Sequence, residues 1–213
     1  MSKRNVQLLV AALLLLGSVA TGHAALITPA DGNGADTFVT QTSTTSNFGT
    51  NDVVTVRTSN RTGSLRYQAT YARFDVSDFL PGSYANVEFG ITFVDATQPD
   101  LPVDVFGLND DVLGQSWNET GITYDNAPGL AQDGVVGDDN DIDPSETTSL
   151  GALSSNTGNA GDETTLSSTA LTNFLNTDTD GLVTLILVRD PQTPIDDRQT
   201  GNHDFASKEH LTL

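Results

Sequence analysis

Apolar and polar side chains alternate along much of this chain with the two-residue period of strands that bury one face. The segment YQATYARFDV, 67–76, shows it well. Gln68, Thr70, Ala72, Phe74 and Val76 fall on one side, and Tyr67, Tyr71, Arg73 and Asp75 on the other. Phe74 and Val76 are expected to face the core. Comparable stretches, bounded by Gly, Asn and Asp, predict strands at 36–40, 53–58, 86–95, 103–108, 121–125 and 203–209. Within 181–190 the run LVTLILV is apolar almost without interruption, as expected of a strand covered on both faces. Only SSTALTNFLN, 167–176, has helical spacing, with Leu171, Phe174 and Leu175 on one face behind a Ser/Thr cap. Residues 129–165, rich in Gly, Asp, Ser and Thr, predict a long excursion that either binds or moves. About eight strands and one short helix argue for an all-β fold, an antiparallel β-sandwich of jelly-roll type.

The N-terminus departs from the alternation. Lys3 and Arg4 precede the apolar run LLVAALLLLGSVA, and Gly22 and Ala24 are spaced as a cleavage site. That is the pattern of a secretory signal peptide over 1–24, too short to span a bilayer. The mature domain is expected to be 25–213, secreted to the medium or cell surface, monomeric and not inserted in a membrane. Cysteine is absent from the 213 residues. Core packing must therefore hold the fold, and cysteine nucleophiles, zinc–thiolate sites and iron–sulfur clusters are excluded. Nine basic residues face 28 acidic ones, a net charge of −19; losing Lys3 and Arg4 with the leader leaves 7 − 28 = −21. Such a charge repels nucleic acid and anionic membranes, so neither is expected as a partner.

Several pieces occur in a characteristic order: ADTFV, NFGTNDVVTVRT, YARFDVSDFLPG, WNETGITYDNAPG, TALTNFL and FASKEH. In this order the chain resembles DNRLRE-type domains, classed with the family 96 carbohydrate-binding modules, over about residues 35–210. The resemblance implies a secreted β-sandwich that binds polysaccharide, alginate being a known ligand of the family. It also implies a last strand of the form Pro-x-Leu-x-Val after FASKE. Here the chain reads HLTL instead, so the final strand is expected to be shortened or missing.

Basic side chains are scarce enough for their placement to matter. Arg57, Arg61, Arg66 and Arg73 lie close together on a strand, the loop SNRTGS and the next strand. A guanidinium fork matches a carboxylate, and Tyr67 or Tyr71 could add a stacking face. Arg57, Arg61, Arg66, Tyr67 and Tyr71 are therefore the candidate contacts for a uronic-acid polysaccharide, while Arg73 is expected to pair with Asp75. Trp117, the single tryptophan, is expected in the core or at its rim, with Tyr124 and Ile122 pointing inward. Structural calcium is the one candidate cofactor. Asp139, Asp141 and Asp143 alternate in the acidic loop DDNDIDPSE and could wrap a hard cation. NTDTDG, 176–181, is spaced like the first half of an EF-hand loop, but Leu187 replaces the bidentate Glu, and it reads as a helix-to-strand turn. No nucleophile elbow, metalloprotease helix or phosphate-cradling loop is present, and a lyase pair of Tyr71 and His203 has no further support. The expected function is non-catalytic binding of an acidic polysaccharide. The alternative is a structural or adhesive surface sandwich without glycan affinity.

Overall fold

The computed structural model describes residues 12–17, 24–61, 64–79, 82, 84–95, 98–131, 141–189 and 201–210; for 12–17, 24, 59–61 and 64–66 it describes the backbone alone. The fold is the antiparallel β-sandwich with one short helix that the alternation predicts. The smaller sheet holds β1 (Ala12–Gly17), β2 (Ala24–Ile27), β6 (Tyr84–Thr92) and β9 (Glu163–Ser167), in the order β2-β1-β6-β9. The larger holds β3 (Ala35–Thr40), β4 (Val53–Arg61), β5 (Ser64–Asp75), β7 (Asp104–Leu108), β8 (Thr147–Ala152), β10 (Leu182–Val188) and β11 (His203–Ala206). Its order is β11-β4-β5-β10-β7-β8, and β3 also pairs with β5. β1 is the apolar run of the expected leader; Leu13 lies opposite Ile27 on one side and Phe89 on the other.

The main core sits between the sheets. Ala72, Phe74 and Val76 of β5 and Val183, Leu185 and Leu187 of β10 meet Val87, Phe89 and Ile91 of β6, with Phe74 edge-on to Phe89 at 6.1 Å. Each buried Val, Leu, Ile or Phe among them contributes about 1.5–3 kcal/mol of apolar transfer free energy. The helix α1 (Thr169–Thr177) closes one end through Leu171 and Leu175. Ser168 starts it by accepting a hydrogen bond from the Leu171 N–H at 2.9 Å.

The outer face of the larger sheet is also buried. Tyr67, Ala69 and Tyr71 of β5, with Ile186 and Val188 of β10, pack under Trp117, Ile122, Tyr124 and Leu130 from the segment after β7. LVTLILV is buried on both faces, as its composition predicts, because it separates these two cores. Trp117 meets Tyr71 edge-on at 5.9 Å and donates its indole N–H to Thr184 Oγ1 at 3.1 Å. The covering segment is tied down from the side: Asn47 Nδ2 donates to the carbonyls of Glu119 and Ile122, each at 2.7 Å. Asp36, 2% exposed, accepts the Lys208 N–H at 2.6 Å, while Glu119 takes the Asp36 N–H at 2.9 Å and pairs with Lys208 Nζ at 2.9 Å.

Two expectations need correction. The strand expected at 121–125 is a loop with a short 3-10 turn at Tyr124–Asn126. Its polar positions satisfy themselves locally, Asn126 Oδ1 accepting the Thr123 N–H at 2.7 Å, so no ladder is required. The excursion 129–165 is interrupted by β8 and by the start of β9, because Leu150 and Leu166 reach the main core. β9 alternates but buries Thr164 as well as Leu166, and β8 buries only Thr147 and Leu150 beside a break in its register, so the polar composition hides both strands.

Candidate functional site

The five side chains expected to contact a glycan separate into two groups. Tyr67 and Tyr71 are fully buried in the outer core, and Tyr71 donates its hydroxyl to the Pro128 carbonyl at 2.7 Å. Neither offers a ring face to a sugar. The β5 face opposite Phe74, which carries both tyrosines, is covered by the Trp117 segment. The arginine positions fare differently. The β4–β5 register sets Arg57 opposite Gln68, Ser59 opposite Arg66 and Arg61 opposite Ser64, so positions 57, 61 and 66 fall on one face of the hairpin. The Arg61 and Arg66 side chains lie outside the described residues. Arg57 is half-buried. Its charge helps lower the pKa of fully buried Arg189 to about 10, after burial, and acts weakly against the burial that raises Asp204.

Arg73 is a structural clamp. Its Nε donates to the Asn33 carbonyl at 2.9 Å, its Nη1 to the Trp117 carbonyl, and its guanidinium lies 4.9 Å from the Trp117 ring centre. Asp75 meets it indirectly, accepting from the Asn33 N–H at 2.8 Å and Nδ2 at 3.0 Å, so the expected Arg73–Asp75 pair is bridged by Asn33. His203 is fully buried, and burial followed by the charge of Arg189 lowers its pKa to about 4. It is neutral at physiological pH and sits away from solvent.

A cleft that sequence reasoning did not locate opens beside α1. It has a volume of about 580 Å³ and gathers Asn109, Asp110 and Asp111 from the turn after β7 with Thr148 of β8. Asn173 and Phe174 of α1 and Thr179 from the turn beyond it complete the wall. The Phe174 ring lies on Gly107, where a Cβ would come within 2.4 Å of its Cζ; only glycine leaves room for the ring there. Thr148 Oγ1 donates to Asn109 Oδ1 at 2.8 Å. Amides, hydroxyls and one aromatic ring in a recess are the chemistry of hydroxyl recognition. The contributing segments lie far apart in sequence, and only the helical face of Phe174 was legible beforehand.

The acidic positions also separate. NTDTDG is the turn from α1 to β10, as its departures from the EF-hand pattern predict. Asn176 pins that turn to β6, accepting the Tyr84 N–H at 2.9 Å. Asp110, Asp178 and Asp180 each bring a carboxylate oxygen within 4.8 Å of the others. Burial, and then the charge of Asp110, raise Asp178 to about 6. In the other acidic loop Asp139 lies outside the described residues, and Asp141 is buried with a positive φ of 55°. Asp143 Oδ1 is occupied by Ser145, accepting its N–H at 2.8 Å and its hydroxyl at 2.6 Å. Among the described residues, neither Asp141 nor Asp143 joins a cluster able to hold a metal ion.

Among the described residues no helix is long and apolar enough to cross a membrane. Comparison with curated proteins finds no match. The family model for carbohydrate-binding module family 96 matches residues 32–136, a stretch that holds the arginine hairpin, β7 and the Trp117 segment. Residues 32–136, about half of the chain, therefore match a family 96 carbohydrate-binding module, a non-catalytic kind of binding module.

Proposed function

We propose that the protein is a secreted, non-catalytic module for an acidic, uronic-acid polysaccharide such as alginate, with Arg57, Arg61 and Arg66 making the ionic contacts. The observation that carries this reading is the hairpin register, which aligns the three positions on one face. A uronate chain carries a carboxylate on each sugar, and the planar guanidinium fork matches that group better than any other side chain. The rest of a molecule with net charge −19 repels such a polymer, so the attraction must be local and must weaken with salt. The leader-like N-terminus supports secretion. The burial of both Tyr71 and His203 supports binding without chemistry.

A second reading has its own observation, the cleft beside α1. Its acids disfavour a uronate, while its amides, threonines and Phe174 suit the hydroxyls of a neutral chain.

Affinity electrophoresis through gels containing alginate, pectin, laminarin or hydroxyethyl cellulose tests both. Retardation by alginate or pectin is expected, with affinity falling about tenfold in Arg57→Ala and again in Arg66→Ala. Retardation by laminarin that disappears in Phe174→Ala would replace the first reading with the second. Migration unchanged in every gel would overturn glycan binding and leave a structural or adhesive module.

A further inference from the structure

The turn after β7 and the turn between α1 and β10 meet at three acids. Asp110, Asp178 and Asp180 bring one carboxylate oxygen each within 4.8 Å of the others. Three like charges at that spacing repel, and Coulomb repulsion grows as water is excluded. Asp178 is only 4% exposed. Its Oδ2 accepts the Gly181 N–H at 3.0 Å, while its Oδ1 is buried without a hydrogen-bond partner. A buried carboxylate oxygen with no donor is costly, and ordered proteins almost always satisfy such atoms. The acids brought beside Asp178, Asp110 and Asp180, are carboxylates, which cannot donate when ionised.

Each acid is held in place for this meeting. Asp110 Oδ2 accepts the Thr179 N–H and hydroxyl, both at 2.7 Å, which locks one turn onto the other. Asp180 Oδ1 accepts the Leu182 N–H at 2.8 Å, and its Oδ2 accepts from Gln115 Nε2. Gly181, at φ 81°, lets the chain pass Ser77 so closely that a Cβ would lie 2.8 Å from the Ser77 Cα. The carboxylates are thus preorganised from both turns, and the buried Asp178 Oδ1 lacks a partner.

We infer that Asp110, Asp178 and Asp180 form a binding site for a single divalent cation, calcium by its chemistry, which cross-links the β7 turn to the α1–β10 turn. Hard oxygen ligands without nitrogen or sulfur select calcium or magnesium over transition metals. Calcium–oxygen distances of about 2.3–2.6 Å fit an oxygen triangle of this size around one ion, with water completing the shell. Calcium also tolerates the irregular geometry that two turns supply, whereas magnesium demands near-octahedral ligands. The ion would occupy the partnerless Asp178 oxygen and cancel the repulsion among the three acids. Asp110 also lines the cleft beside α1, so the ion would make that wall less negative. This assignment does not depend on which glycan, if any, the module binds.

The test uses the full chain after removal of metal by a chelator. Calorimetric titration with calcium chloride should give one site. A hundredfold excess of calcium over its dissociation constant should raise the melting temperature by roughly 5–10 °C, and magnesium by much less. Asp178→Asn keeps the shape and removes the charge, so it should abolish both the binding heat and the thermal shift. Its metal-free melting temperature should equal or exceed that of the metal-free parent, which shows that the variant folds. No binding heat with millimolar calcium and no thermal shift would overturn the site. So would calcium binding that survives in Asp178→Asn but is lost in Asp143→Asn, since the ion would then lie in the other acidic loop.

Discussion

Asp36 offers the sharpest quantitative test of the packing described above. It is a carboxylate at 2% exposure on β3, and burial outweighs the Lys208 N–H that favours its charge, with Glu119 adding repulsion. The balance raises its pKa from 3.8 to about 7. An acid whose folded pKa is raised contributes stability below its unfolded pKa and loses it as pH climbs through the folded value. Here the window runs from about pH 3.8 to about pH 7. Asp36→Asn keeps an oxygen to accept the Lys208 N–H and removes the ionisation. Each pKa unit corresponds to about 1.4 kcal/mol, so the variant should gain about 1 kcal/mol over the parent near pH 4.5 and about 4 kcal/mol near pH 8. For a domain of this size the larger figure is a rise in melting temperature on the order of 10 °C. Thermal unfolding of both proteins across this range measures the difference. A difference that stays flat, or that shrinks as pH rises, would refute the claim that Asp36 is ionised at a cost above pH 7.

Two further substitutions test the outer core and the α1–β10 turn. Trp117→Phe retains an aromatic ring but leaves Thr184 Oγ1 without the indole N–H and weakens the stack beneath Arg73. It should cost about 1–3 kcal/mol in urea unfolding with an unchanged m-value. Gly181→Ala forces a side chain into a positive-φ position against Ser77. It should lower stability by about 1–3 kcal/mol, and a urea midpoint equal to the parent's would show that the turn relaxes instead.

Much of the sandwich was legible because its strands advertise a period. β5 alternates strictly, and β10 is apolar throughout, so both their existence and their burial follow from the order of residues. β8 and β9 were not legible, since Thr, Ser and Gly dominate them and only Leu150 and Leu166 mark their buried sides. The outer core was half legible. Trp117, Tyr124 and Ile122 are inward as expected, whereas Tyr67 and Tyr71, expected as glycan contacts, are buried, because strand alternation does not say what lies across a sheet face. The hairpin positions 57, 61 and 66 share a face because register is a local property. The cleft and the three-acid cluster depend on turns brought together by tertiary structure, and no spacing rule connects Asp110 with Asp178.

The two-sided burial of the larger sheet decides what kind of target this protein can hold. Modules that adhere to crystalline polysaccharide do so with an open plane of aromatic rings, matched to the flat surface of many parallel chains. Here the plane is spent on holding the Trp117 segment, and the large apolar side chains exposed among the described residues are Leu26 and Leu113, neither of them aromatic. What is left for recognition is the rim: a hairpin edge and a recess of about 580 Å³. On the proposed function, that favours dissolved or gel-like chains, met one at a time, over the faces of packed fibres.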